Sequence, residues 1–211
     1  RRLADKTGAV LIFDEVSSGF RMNSGGAHLL FGVIPDIAVF AKGMSNGYPM
    51  GAVIGKEKVM ASVEDTFISS SYWTERIGPV AALATIRKHK KLDVGNHLMN
   101  IGKLIQDGWK ETAEEAGLKI KVFGIPPISH LLFDYPNAMA MMTLFVQSML
   151  ERGFLASSRF YASYAHKKSH VAKYLKALDE VFNFIKKASD NQEVENCLKG
   201  SVAKPGFHRL A

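Results

Sequence analysis

The chain has 211 residues, 47% of them hydrophobic, with 27 Lys and Arg against 20 Asp and Glu, a formal charge of +7. That size and apolar content can bury a substantial core in one large domain or two small ones. No apolar run approaches the roughly 20 residues that span a bilayer, so no membrane partner is expected. The opening RRLADKTGAV lacks the apolar centre and small-residue cleavage site of a secretory signal. Cys197 is the single cysteine, which excludes an internal disulfide and favours a reducing, cytoplasmic setting. It reads as a tolerated residue of a polar helix. The charge invites a nucleic-acid reading, but Arg87, Lys88, Lys90 and Lys91 gather at the end of one predicted helix and Lys186 with Lys187 at the end of another. Cations there meet the negative end of the helix dipole, and no aromatic-interleaved basic platform accompanies them. Solvated helix ends are expected, and no nucleic-acid partner.

In chain order, Arg1 onward reads as the tail of a helix stopped by Gly8. Ala9 to Phe13, AVLIF, is apolar without alternation, as a parallel strand covered on both faces would be. It ends in Asp14 and Glu15, a pair that serves either a site or the cap of the next element. A loop rich in Gly, Ser and Asn leads from there to a second buried strand, Ile37 to Phe40, bounded by Pro35 and Gly43. Lys42 therefore falls just past a strand's carboxyl end, where open α/β sheets place their chemistry. Gly43, Gly47 and Gly51, with Pro49 among them, predict a tight loop that lets backbone approach a ligand. Ala52 to Ile54 then returns as an apolar strand. Two strands of one sheet that each end in an ionisable residue would bring Asp14 and Lys42 to one edge, with Lys42 a candidate nucleophile.

Lys56 to Ala61 predicts a short helix, Thr66 to Tyr72 an extended segment, and Pro79 sits in the first turn of a helix, PVAALATIRKHKKL, where its missing N–H costs nothing. The texture changes near Asp93. Helix Val94 to Ala116, strands Leu118 to Phe123 and Ile128 to Phe133 around Gly124, Pro126 and Pro127, and helix Ala138 to Arg152 predict a smaller α+β domain. The division expected is 1–88 and 89–211. The last helix, Ser169 to Lys187, carries a packing stripe of Val171, Tyr174, Leu175, Leu178, Val181, Phe182 and Ile185. Met139, Met141 and Met142 read as core filler, and the tail from Asn191 has no period.

A carboxylate at one strand end and a lysine at the next suit pyridoxal phosphate, whose aldehyde condenses with a lysine amine and whose ring nitrogen needs an acidic partner. The residues add to this. LIFDEVSSGFR, FGVIPDIAVFAKGMSNGYPMGAVIG and TERIGPVAALATI closely resemble the class III aminotransferases of fold type I, including their glutamate-1-semialdehyde aminomutase branch. The resemblance implies an α/β fold type I architecture, with 1–88 the C-terminal part of the large cofactor domain and 89–211 the small domain. It implies Lys42 as the Schiff-base lysine, Asp14 as partner of the ring nitrogen and Val16 as the residue packed on the ring. Thr74, five residues before Pro79, matches the threonine that contacts the cofactor phosphate of the neighbouring subunit. The family usually has Gly-Asn-Pro where this chain has Ile77-Gly78-Pro79. The activity implied is amino transfer between a small-molecule amino donor and a carbonyl acceptor in a homodimer. Intramolecular transfer by an aminomutase would use the same Asp and Lys.

The resemblance covers about the second half of the family's usual length. The phosphate-cradling loop and the ring-stacking aromatic are expected upstream, and the chain reads as a fragment or truncated reading frame. Its rivals are an interaction domain that has lost its chemistry, and a P-loop ATPase whose magnesium strand ends in Asp-Glu. GAVIGKE spoils the ATPase reading, with three residues between its glycines and Glu57 where the metal needs Ser or Thr. Thr74 as a mere flank or cap of its helix is the plain alternative to phosphate contact.

Overall fold

The computed structural model describes residues 1–71 and 74–204, and the chain divides into two compact units, Arg1–Leu98 and Met99–Ala211. In the first, helix α1 (Arg2–Thr7) closes at Gly8, whose φ of 71° is the left-handed stop read from the sequence. Strand β1 (Ile12–Asp14) runs parallel to β2 (Ile37–Phe40), with Ile12 opposite Ile37 and Asp14 opposite Val39. Both strands thus deliver their carboxyl ends to one sheet edge. The connection between them is less irregular than its composition suggests, because Ala27–Phe31 winds into a 3-10 turn.

The expectation of a first strand over Ala9 to Phe13, covered on both faces, needs correction. The strand is shorter, and Val10 and Ile12 keep 50% and 56% of their surface exposed. Among the described residues β1 has β2 as its one ladder partner and forms the sheet's edge. Strand β3 (Ala52–Gly55) pairs antiparallel with β2. The loop between them is shorter than the dozen or so residues a parallel crossover needs, so the chain reverses instead. Asp36, just before β2, clamps this sheet at three points. It accepts the Leu11 N–H at 2.8 Å, Arg1 Nη1 at 2.8 Å and Lys56 Nζ at 2.7 Å. The Leu11 N–H above all, then Lys56 and Arg1, hold its carboxyl well below the usual carboxylate range.

Helix α2 (Glu57–Met60) continues as a 3-10 turn over Ala61–Asp65. The extended segment expected over Thr66 to Tyr72 enters no ladder through Ser71; Tyr72 lies outside the described residues. Helix α3 (Ile77–Lys91) starts two residues earlier than its proline, which stays in the first turn. Phe20, Ala38, Phe40, Met44 and Ala82 form the unit's core, with the Phe20 and Phe40 rings edge to face at 5.8 Å. His89 of α3 is buried beneath the loop after β1, Nε2 donating to the Phe20 carbonyl at 3.0 Å and Nδ1 meeting Ser24 Oγ at 2.9 Å. Arg87, Lys88, Lys90 and Lys91 are exposed at the helix end, as solvated termini should be.

Helix α4 (Val94–Glu115) leads into the second unit, where β4 (Ile120–Ile125) and β5 (Ile128–Phe133) pair antiparallel, Ile125 opposite Ile128. Helix α5 (Ala138–Glu151), a third strand β6 (Arg159–Tyr161) paired antiparallel with β5, and helix α6 (Lys168–Asp190) complete it. Phe133, Phe145 and Phe182 pack as a triad with centroids 5.9 to 6.2 Å apart. Leu178, Val181, Phe182 and Ile185, the middle of the stripe, are fully buried. The helices approach the hairpin closely. A Cβ at Gly102 would stand 1.9 Å from the Pro126 carbonyl oxygen, so α4 passes the β4–β5 turn only because this position has no side chain.

Two smaller expectations change. Met141 is core, but Met139 is 41% exposed, since it occupies the opposite side of the first turn of α5. Cys197 lies in a turn rather than a helix, its carbonyl accepting from Gln147 Nε2 at 3.0 Å. No helix among the described residues is long and apolar enough to cross a membrane.

Candidate active site

After Phe40 the backbone stays extended for one residue, Ala41, then turns sharply, with Lys42 opening a 3-10 turn, Lys42–Met44. Lys42 has φ of 44°. A left-handed backbone costs a non-glycine residue roughly 1–2 kcal/mol, and strain of this kind concentrates where geometry serves a site. The loop holds it there. Met44 is buried and its N–H bonds the Ala41 carbonyl at 3.1 Å, while Ser45 Oγ donates to the Tyr48 carbonyl at 2.5 Å.

The Lys42 ammonium donates to Ser17 Oγ at 2.5 Å. Ser17 stands in the turn that leaves β1, and the same turn fixes Asp14, whose Oδ1 accepts the Val16 N–H at 3.0 Å. Asp14 remains exposed and Val16 half-buried. The structure therefore brings Asp14, Val16 and Lys42 to adjacent ends of two parallel strands, bridged by Ser17. The sequence offered no periodic signal for Ser17. Its only mark is a hydroxyl pair, Ser17-Ser18, directly after two acids and a valine.

The Asp14-Glu15 pair divides its work. Glu15 is 2% exposed and points away from solvent, accepting Ser18 Oγ at 2.5 Å, the His28 N–H at 2.9 Å and His28 Nδ1 at 3.1 Å. Burial pushes its carboxyl up, but the Ser18 hydroxyl and the backbone N–H groups of His28 and Ala27 prevail and hold it below its ordinary value. Asp14 stays at the strand end, while Glu15 caps the next element, its carboxylate taking the opening N–H groups of the 3-10 turn Ala27–Phe31 and bracing the loop between β1 and β2.

Thr74 is exposed, in the turn before α3. Its expected partners, the first N–H groups of that helix, are already taken. Glu75 Oε1 accepts the Ile77 N–H at 2.7 Å and Oε2 the Gly78 N–H at 3.0 Å. The Gly78 and Ile77 N–H groups keep the Glu75 carboxyl below its ordinary value, and a carboxylate at this helix end repels an anion that would bind the same donors. The N–H groups that open α3 thus belong to Glu75, and the capping weighed for Thr74 falls to that carboxylate. Gly78 has a different task. A Cβ there would lie 2.7 Å from the Pro49 carbonyl oxygen, so glycine lets α3 start against the loop that carries Lys42.

These strand ends and their turn lie inside the region, residues 1–182, that matches the aminotransferase class-III family model, and the chain belongs to that family. It is 32% identical to a 3-aminobutyryl-CoA aminotransferase of Cloacimonas acidaminovorans, covering 89% of this chain and 47% of the relative. It is 30% identical to a glutamate-1-semialdehyde 2,1-aminomutase of Methanocaldococcus jannaschii, covering 86% of this chain and 46% of the relative. Among solved structures, the FumI protein of Sphingopyxis sp. MTA144, in its PLP internal aldimine form, superposes with a TM-score of 0.83 at 24% identity, over 94% of this chain and 49% of that one. The fold is that of the fold type I transaminases. The chain spans about half the length of the curated relatives it matches.

Proposed function

We propose that the complete protein is a pyridoxal-phosphate-dependent aminotransferase that moves an amino group from an amine or amino acid to a carbonyl acceptor. The observation that carries this reading is the placement of Lys42 in a strained left-handed turn past the end of β2, bonded to Ser17 of the turn that follows the exposed Asp14 at the end of parallel β1. An acid and an amine at one sheet edge fit the two ends of the cofactor. Lys42 would carry it and Asp14 would hold the proton on its ring nitrogen, with Val16 against the ring. When bound, the cofactor supplies the electron sink that lets a bond at the amine-bearing carbon break. The chain's own share is to orient and to move protons. Asp14, fixed by the Val16 N–H, presents its carboxyl group to the ring nitrogen, and Lys42 Nζ, steered by Ser17, can take a proton from one position and return it to another.

Residues 1–88 would then be the C-terminal part of the large cofactor domain and 89–211 the small domain. Thr74 would reach the cofactor phosphate of a neighbouring subunit, in a homodimer with two shared sites. The lone Cys197 supports a reducing, cytoplasmic setting. A second reading, intramolecular transfer by an aminomutase, is favoured by the relatives that carry that name.

Incubating the complete protein with amino donors, with and without an added keto acid, separates the two. Amino transfer that requires the acceptor supports the first reading. Isomerisation of one substrate without an acceptor supports the second, and no reaction with any donor would leave the interaction-domain reading in possession.

A further inference from the structure

A cavity of about 420 Å³ opens in the second unit, a volume in the range of small-molecule pockets. Its apolar wall comes from Ile105 and Trp109 of α4, Val171 and Tyr174 of α6, Phe154 of the segment leading into β6, and Phe160 of β6 itself. Trp109 is 1% exposed and its indole N–H donates to the Tyr174 hydroxyl at 2.8 Å. Burial pushes the Tyr174 phenol up, the Trp109 bond offsetting only part of this, so the hydroxyl keeps its own proton to donate at every physiological pH.

The polar part of the lining is one-sided. It includes Arg159, His166 and His170 and no Asp or Glu. The Arg159 guanidinium, always charged, forms no ion pair among the described residues; the bonds of this residue with Ser157 run through its backbone. His170 Nδ1 accepts the Lys167 N–H at 3.3 Å, which leaves the proton on Nε2. His166 Nδ1 accepts the Ser163 N–H at 3.0 Å and its ring leans on Phe160, centroids 5.2 Å apart.

We propose that this cavity is a binding site for a small organic carboxylate with a flat apolar body, its ring against Trp109 and its carboxylate on Arg159 and His170. Aromatic walls with a guanidinium and an imidazole N–H at one side select an anion over its neutral isostere, because a charge-assisted bidentate contact replaces a neutral one. The inference does not rest on the reading of Lys42, since every lining residue belongs to the second unit.

Calorimetric titration of the complete protein with phenylacetate, and separately with phenylacetamide, tests it. Saturable one-to-one binding is expected, the acid tighter than the amide by about tenfold or more, as a charge-assisted contact warrants. Arg159→Gln should erase that preference, and Lys42→Ala should leave both titrations unchanged, which keeps this result separate from any failure of the aminotransferase reading. Ala156→Phe, which fills the cavity, should abolish binding of both and serves if Arg159→Gln melts below the temperature of the assay. Absence of saturable binding, equal affinity for acid and amide, or an undiminished preference in Arg159→Gln would each overturn the proposal.

Discussion

At the scale of single residues the decisive contact is that of the Ser17 hydroxyl, which holds the Lys42 amine at 2.5 Å. A hydrogen bond to a charged group contributes about 1.5–3 kcal/mol when shielded and less when solvated, and Lys42 is exposed. Ser17→Ala in the complete protein should therefore slow amino transfer about tenfold through kcat with little change in KM, and Ser17→Thr should restore it. An unchanged kcat in Ser17→Ala would make the contact incidental. The position of Lys42 was legible in the sequence because Ile37 to Phe40 is too short and too apolar for anything but a strand, and Gly43 ends it. The Ser17 contact was not legible. A loop hydroxyl has no periodicity, and its partner is 25 residues away in sequence.

At the scale of elements, the first unit depends on α3 being fastened to the loop after β1, and His89 is the fastening. Burial first of all pushes its imidazole below the ordinary value of 6.5, against the Phe20 carbonyl and Asp93, which favour the charged form. The folded state then binds fewer protons at this site than the unfolded one, so the contribution is fully present above pH 6.5 and is lost as pH falls below it. Thermal melts between about pH 8 and pH 5 should show stability falling through the acidic half of that range. His89→Gln, which can still donate to Phe20 and accept from Ser24, should flatten the fall. An identical slope in the variant would assign the pH dependence to other groups.

Elements with a long period or a hard stop were readable. Gly8, Gly117 and Gly153 all sit at positive φ after helices, as their places in the sequence suggested. Strand β6 escaped notice because Arg159–Tyr161 is too short for alternation to show. The direction of β3 depended on the length of its loop rather than on its apolar residues. Glu75 illustrates a third kind of miss. Thr74 was singled out for its relation to Pro79, yet it is the neighbouring Glu75 that reaches the helix N–H groups.

At the scale of the whole molecule, the first unit leaves Ile12, Leu29, Leu30, Phe31, Ile34, Val53 and Ile54 more than half exposed. The chain spans only about half the length of its relatives. The homodimer proposed for the complete protein makes a definite prediction. Mixing Lys42→Ala and Thr74→Val protomers, each inactive or weakened alone, should regenerate activity, because a heterodimer collects both lesions in one shared site and leaves the other intact. Mixed activity that never exceeds that of either variant would place Thr74 in its own subunit's site.

Whether Lys42 is the amine that carries the cofactor is settled by trapping the attachment chemically. The complete protein is incubated with pyridoxal phosphate, reduced with borohydride, digested and mapped by mass spectrometry. A pyridoxyl group is expected on the peptide containing Lys42, and it should disappear in Lys42→Ala. A pyridoxyl group that maps to another lysine, or that survives in the variant, would contradict the assignment.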